Sequence, residues 1–202
     1  MFEVEIKVPA DVDAVRDRLR KAGAERVDAR RQRDAYYDAP HRDFAETDEA
    51  LRVRREAPLP DGIGSGAAET ADRDPTPETT KLTYKGPLLD EGSKTRAERE
   101  TEVADPEAAA GILAGLGFEP AATVEKRREF WAYDGFTVTL DAVDGLGEFV
   151  EIERSVDDET AIESVRDDAL AALDRLGLDG AEQVRTSYLG LLLADADASD
   201  DE

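Results

Sequence analysis

The stretch EVEIK, residues 3–7, sets two acids and a base on alternate positions. In a β-strand successive side chains point to opposite faces, so Glu3, Glu5 and Lys7 share one face while Val4 and Ile6 share the other. The pattern recurs along the chain. ALRVRRE brings Arg52 and Arg54 to one face, KLTYKG brings Lys81, Thr83 and Lys85, and RAERETE brings Arg96, Glu98, Glu100 and Glu102. EKRREF aligns Lys126 with Arg128, TVTLD aligns Thr137 and Thr139 with Asp141, and EFVEIE aligns Phe149, Glu151 and Glu153. The opposite positions carry Val, Ile, Leu and Tyr, so one face of the sheet is apolar and the other ionic on nearly every strand.

Antiparallel sheets often leave one face wet, and neighbouring charges can simply pair across strands. Curled inward, however, this face lines a water-filled barrel. Its carboxylates would hold Mg²⁺ or Mn²⁺ through oxygen, while ammonium and guanidinium groups clamp phosphate oxygens. The ligand that suits such a lining is a polyphosphate with divalent metal.

The elements that must position these residues follow from period and punctuation. Pro9 and Asp11 open a helix in PADVDAVRDRLRKAGA, with Val12, Val15 and Leu19 on one face and Gly23 as its stop. RQRDAYYDAP reads as a strand closed by Pro40. DPEAAAGILAGLGF is a second helix with an Asp cap and Pro at its first position, a third covers Thr160 to Leu176, and SYLGLLLA is a short helical end. Asp134-Gly135 and Asp144-Gly145-Leu146-Gly147 read as hairpin turns. Residues 57–80 are Pro-, Gly- and acid-rich without apolar period and read as a disordered insertion between two strands. The polar residues 194–202 read as a disordered acidic tail. Eight alternating strands with helices between them give an α+β chain dominated by antiparallel sheet, a single domain over 1–193.

Composition narrows the partners. There are 49 acidic against 26 basic side chains, a net charge of −23, so nucleic acid and anionic membranes are not expected partners. With 20 Arg, 6 Lys and no Cys, the chain resembles cytosolic proteins of salt-loving archaea, and a cytoplasmic location is expected. The absence of Cys and the single His41 exclude thiolate metal sites, a His-rich zinc site and a Ser-His-Asp triad. No segment has the apolar length of a membrane span. His41 is expected to be exposed, and Tyr36 and Tyr37 either stack on a base or pack in the core, the second being favoured.

In chain order, EVEIK, QRDAYYD, LRVRR, KLTYKG, SKTRAERETEV, EKRREFW, LDAVDGLGEFVEIE and RTSYLGLL are similar to the motifs of the CYTH superfamily, which groups class IV adenylate cyclases with thiamine and inorganic triphosphatases. The details around YYD, GLGEFVEIE and TSYLGLL most resemble the class IV cyclase branch. The resemblance implies an eight-stranded antiparallel β-barrel, a triphosphate tunnel with helices packed outside. It implies Glu3, Glu5, Asp141, Glu151 and Glu153 as ligands of Mg²⁺ or Mn²⁺, and Lys7, Arg52, Arg54, Lys85, Lys126 and Arg128 as phosphate-binding cations. Lys85 and Arg185 are candidates to act near the chemistry, which would be conversion of ATP to 3′,5′-cyclic AMP and pyrophosphate. The strand motifs serve equally a triphosphatase in which water attacks the terminal phosphorus. A non-catalytic polyphosphate-binding module would have lost a metal ligand, yet both ExE pairs are intact. A homodimer is compatible with all three readings.

Overall fold

A computed structural model describes residues 2–59, 63, 78–89 and 95–200, with backbone alone at residues 45 and 196–200. Eight strands form one closed antiparallel barrel: β1 Phe2–Pro9, β2 Glu25–Asp38, β3 Ala50–Pro58, β4 Thr79–Leu88, β5 Arg96–Glu102, β6 Glu119–Tyr133, β7 Phe136–Val143 and β8 Gly147–Val156. Around the barrel they run β1-β5-β4-β3-β2-β6-β7-β8, and β8 returns to β1. The closure is uneven. Among the described residues, β1 meets β8 from Phe2↔Val156 to Pro9↔Phe149, but meets β5 only at Phe2↔Ala97 and Glu3↔Arg96.

The period-two pattern decides which way the sheet curls. Val4, Ile6, Val138, Leu140, Val150 and Ile152 are all buried outside the barrel wall, under helices α1 (Val12–Lys21) and α4 (Ile162–Arg175). A second apolar cluster lies under the short α2 (Phe44–Thr47) and α3 (Pro106–Gly115), where Phe44 and Leu113 cover Tyr37, Leu51 and Val53. The third surrounds Tyr188 at the start of α5 (Tyr188–Asp200), with Tyr36, Val124, Val143 and Phe149. Helix starts follow local chemistry. Asp11 and Asp105 each accept a hydrogen bond from the backbone N–H three residues on, at 2.9 Å, satisfying a donor that the helix itself leaves open. Asp134 and Gly135 take positive φ of 50° and 74°, as a two-residue hairpin between twisted strands requires.

Several boundaries differ from the sequence-based expectation. Residues 57–58 and 79–80 belong to β3 and β4. Ile63 is buried in the main core: its N–H donates to Glu129 Oε1 at 2.8 Å and its carbonyl accepts from Arg16. Residues 60–62 and 64–77 of that expected insertion lie outside the described residues. The expected disordered tail is helical as far as Asp200, because α5 continues through it. No helix among the described residues is long and apolar enough to cross a membrane.

Candidate active site

The inward face of the barrel encloses a cavity of about 480 Å³ lined by charged residues from every strand except β7, which contributes Thr137. On one wall, adjacent strands β1 and β8 bring Glu5 opposite Glu153, and Glu3 lies two residues along the same face. Carboxylate oxygens of Glu3, Glu5 and Glu153 all lie within 4.8 Å of one another. Three anions so close repel one another, and their burial removes the water that would screen them. Burial and the Glu3 carboxylate push Glu153 up to about 8. A cluster of hard oxygen donors that resists full ionisation by itself fits a divalent cation, whose charge would favour the ionised form.

The five carboxylates expected to share the metal divide into two groups. Asp141 and Glu151 do not join the other three; Arg128 holds them both. Its Nε donates to Asp141 Oδ1 at 2.6 Å, and its Nη2 donates to Asp141 Oδ2 and Glu151 Oε2. Asp141 also accepts from the Tyr188 hydroxyl at 2.8 Å. Burial opposes ionisation of Glu151, but Arg128, Lys126 and Lys7 outweigh it and hold the carboxylate well below its usual range.

The six expected phosphate-binding cations all line the cavity, in different states of engagement. Arg54 meets Asp34, its cross-strand neighbour, through parallel bonds of 2.6 and 2.7 Å, the pairing an isolated strand motif cannot distinguish from ligand binding. Arg52 lies 3.5 Å from Asp34 and 4.0 Å from Glu98, and its Nε is buried with no hydrogen-bond partner. Lys85 bridges Glu3 at 3.1 Å and Glu98 at 2.7 Å. Burial disfavours its ammonium, but Glu3 and Glu98 prevail and raise its pKa. Lys126, 3.7 Å from Asp141, is pushed down to about 8 by burial and the neighbouring Arg128. Lys7 Nζ donates to the Thr186 carbonyl at 2.6 Å and sits 4.1 Å from the centre of the Tyr188 ring.

Arg185 is exposed and is not among the residues that line the cavity. The segment before α5 instead binds β1 through Val184 N–H and the Lys7 carbonyl, at 2.8 Å, and it is Tyr188 that enters the barrel. His41 is exposed, Tyr37 packs in the core, and Tyr36 is buried at the cavity rim. Four residues without an assigned role in the sequence reading take part: Gln32, Asp34, Arg96 and Tyr188. Alternation along β2 would have found the first two, since Arg30, Gln32, Asp34 and Tyr36 share one face. Arg96 fixes Asp48, a residue at φ 52°, through bonds of 2.5 and 2.7 Å.

The CYTH domain family model matches residues 1–188. The chain belongs to the CYTH family. A Methanocaldococcus jannaschii protein that is named provisionally as an adenylate cyclase is 35% identical over 95% of this chain and 98% of its own length. The adenylate cyclase CyaB of Aeromonas hydrophila is 29% identical over 93% of this chain and 86% of its own. Among solved structures, the PH1819 protein of Pyrococcus horikoshii superposes with a TM-score of 0.81 at 37% identity, covering 96% of this chain and 99% of that one. The CYTH barrel therefore has relatives over its whole width. Its family comprises enzymes that act on triphosphates and generally depend on divalent metal.

Proposed function

We propose that this protein is a divalent-metal-dependent adenylate cyclase of the class IV type, converting ATP to 3′,5′-cyclic AMP and pyrophosphate. The observation that carries the reading is the juxtaposition of the Glu3, Glu5 and Glu153 cluster with a cavity otherwise rich in lysine and arginine. The names of the Methanocaldococcus and Aeromonas relatives support cyclisation rather than hydrolysis.

Mg²⁺ or Mn²⁺ held by Glu3, Glu5 and Glu153 would supply Lewis-acid polarisation of a phosphoryl oxygen and lower the pKa of the attacking ribose hydroxyl. The protein's own part is positioning and charge neutralisation. Arg52 offers its unmatched Nε–H to a phosphate oxygen, and Lys7 and Lys126 add positive charge beside it. An incoming phosphate also favours the charged form of Lys126. Lys85, 3.1 Å from Glu3 of the carboxylate cluster, is assigned to the leaving pyrophosphate. Arg54, bonded to Asp34, and Arg128, bonded to Asp141 and Glu151, brace the wall and neutralise its buried carboxylates.

Incubation of the purified protein with ATP and Mg²⁺ or Mn²⁺ in high salt, with products separated by chromatography, tests the reading. Cyclic AMP and pyrophosphate in equal amounts are expected. Orthophosphate without cyclic nucleotide, from ATP or from tripolyphosphate, would overturn it in favour of a triphosphatase.

A further inference from the structure

Among the described residues the buried barrel-wall atoms without a hydrogen-bond partner are Arg52 Nε, Gln32 Oε1, Thr139 Oγ1 and Glu98 Oε2, the last ion-paired with Lys85; Arg52 Nε, a donor, and Gln32 Oε1, an acceptor, both belong to residues that line the cavity and are opposite in polarity. A buried polar atom left unmatched costs about 1–3 kcal/mol, so a pair of them lining a cavity describes the ligand that would match them. The arginine donor suits a phosphate oxygen. The glutamine acceptor does not. Gln32 is 1% exposed and lines the cavity. Its Nε2 donates to Glu56 Oε2 at 3.0 Å, and the reversed amide would set its oxygen against that carboxylate, so chemistry fixes the carbonyl as the unmatched end. Glu56 is itself held in place by Arg30 and by Lys81 at 3.3 Å.

An inorganic triphosphate offers acceptors alone once the last phosphoryl ionisation, near about 6, is complete. A nucleotide adds donors. We propose that Gln32 is a specificity-determining residue that accepts a hydrogen bond from the nucleoside part of the substrate, from a ribose hydroxyl or an exocyclic amino group. The assignment rests on the nucleotide reading above and deepens it. The surroundings agree. The register shift between Arg26 and Asp28 falls at Val27, which is exposed at the end of the barrel where β2 begins, and Val27 and Ala132 line that end of the cavity. There Phe130 lines the wall, with the Arg30 and Arg128 guanidiniums each 5.9 Å from its ring centre. An aromatic face with apolar neighbours is a surface on which a base stacks, whereas a bare polyphosphate gains nothing there. Sites that hydrogen-bond a substrate group reject analogues lacking it more strongly than apolar pockets reject a missing methylene.

The test is calorimetric binding at pH 8 with Mg²⁺, using an ATP analogue with methylene bridges at both the α,β and β,γ positions and a methylene-bridged inorganic triphosphonate, for the wild type and Gln32→Met. The variant is expected to hold the nucleotide about tenfold more weakly and the triphosphonate unchanged. Analogues of the nucleotide lacking the 2′-hydroxyl, the 3′-hydroxyl or the 6-amino group then name the donor: one of them loses the same factor on the wild type and nothing further on the variant. Equal losses for both ligands, or no loss for the nucleotide because a water alone meets Gln32, would overturn the proposal. Should Gln32→Met fail to fold, the analogue series on the wild type decides, and three analogues that all bind like the parent refute it. Binding is read without turnover, so the absence of cyclic AMP in the product assay would end the cyclase reading and leave this result standing. A wild type that holds the nucleotide no more tightly than the triphosphonate overturns the Gln32 role whatever the product.

Discussion

Glu153 sits where two opposed demands meet: a carboxylate placed among carboxylates, on a wall from which water is partly removed. Such an arrangement is unfavourable in the free protein and favourable around a cation. Glu153→Gln removes one donor and one charge from the cluster while keeping the shape. Mn²⁺ should raise the melting temperature of the wild type in proportion to its occupancy, as any ligand of the native state does, and should leave the variant nearly unmoved. Turnover should fall by at least the roughly 10–100-fold that loss of a supporting group around a metal costs. A melting titration with Mn²⁺ alongside the product assay checks both, and an unchanged titration would refute the metal assignment. Alternation put Glu3 with Glu5 and Glu151 with Glu153, and the resemblance grouped all four with Asp141; that Glu153 is the one beside Glu3 and Glu5 follows from its standing opposite Glu5. That Asp141 and Glu151 face Arg128 instead was not legible, because it depends on Arg128 standing directly opposite Asp141, a register that no single strand encodes.

The β2–β3 pair shows the same thing for an element. Alternation identified Arg52 and Arg54 as inward-facing, but their partner Asp34, on a strand whose charged face went unread, emerges only when the hairpin register sets Asp34 opposite Arg54. Burial disfavours the Asp34 carboxylate, yet Arg54 and Arg52 prevail and hold its pKa well below the usual value. A carboxylate depressed in the folded state stabilises above its unfolded pKa, about 3.9, and loses that contribution as pH falls through the folded value. Asp34→Asn should therefore cost about 3–5 kcal/mol at pH 7, since it leaves buried guanidiniums uncompensated. Urea denaturation at pH 7 and pH 3 should show the gap to the wild type narrowing in acid. A gap independent of pH would mean that the pair contributes packing alone. Helices were legible where an Asp cap and an apolar period coincide, as in α1 and α3, and α2 was missed because one turn has no period to read. Ile63 was unreadable for a different reason: its anchor is Glu129, 66 residues away and also bonded to Arg16 and the Trp131 indole, and nothing local marks it.

Over the whole molecule the closed barrel was foreseeable, because an ionic face on all strands has to turn inward or be wet, and the bases concentrate there while the exterior remains acidic. A net charge of −23 makes the compact state repel itself at low ionic strength, where screening extends over about 10 Å at 0.1 M salt against 3 Å at 1 M. Moving between those concentrations should stabilise the fold by about 1–2 kcal/mol, or roughly 2–8 °C in melting temperature; a flat response would place the stabilising charges inside the barrel alone. The narrow join between β1 and β5 carries a kinetic consequence. Glu3, Glu5 and Glu153 all stand on its β1–β8 side, whereas β5 forms the other side, with Lys85 on the next strand, β4, and Arg52 beyond it on β3, and Lys85 reaches Glu3 across the gap. On the proposed assignments a metal would grip the β1–β8 side alone, whereas a triphosphate would span Lys7 on that side and Arg52 and Lys85 on the other. Amide hydrogen exchange at Phe2, Glu3 and Ala97 should accordingly be fast in the free protein, change little with metal alone, slow with triphosphate and slow furthest when both are present. Ligand binding would then be felt as a tightening of the weakest seam of the barrel.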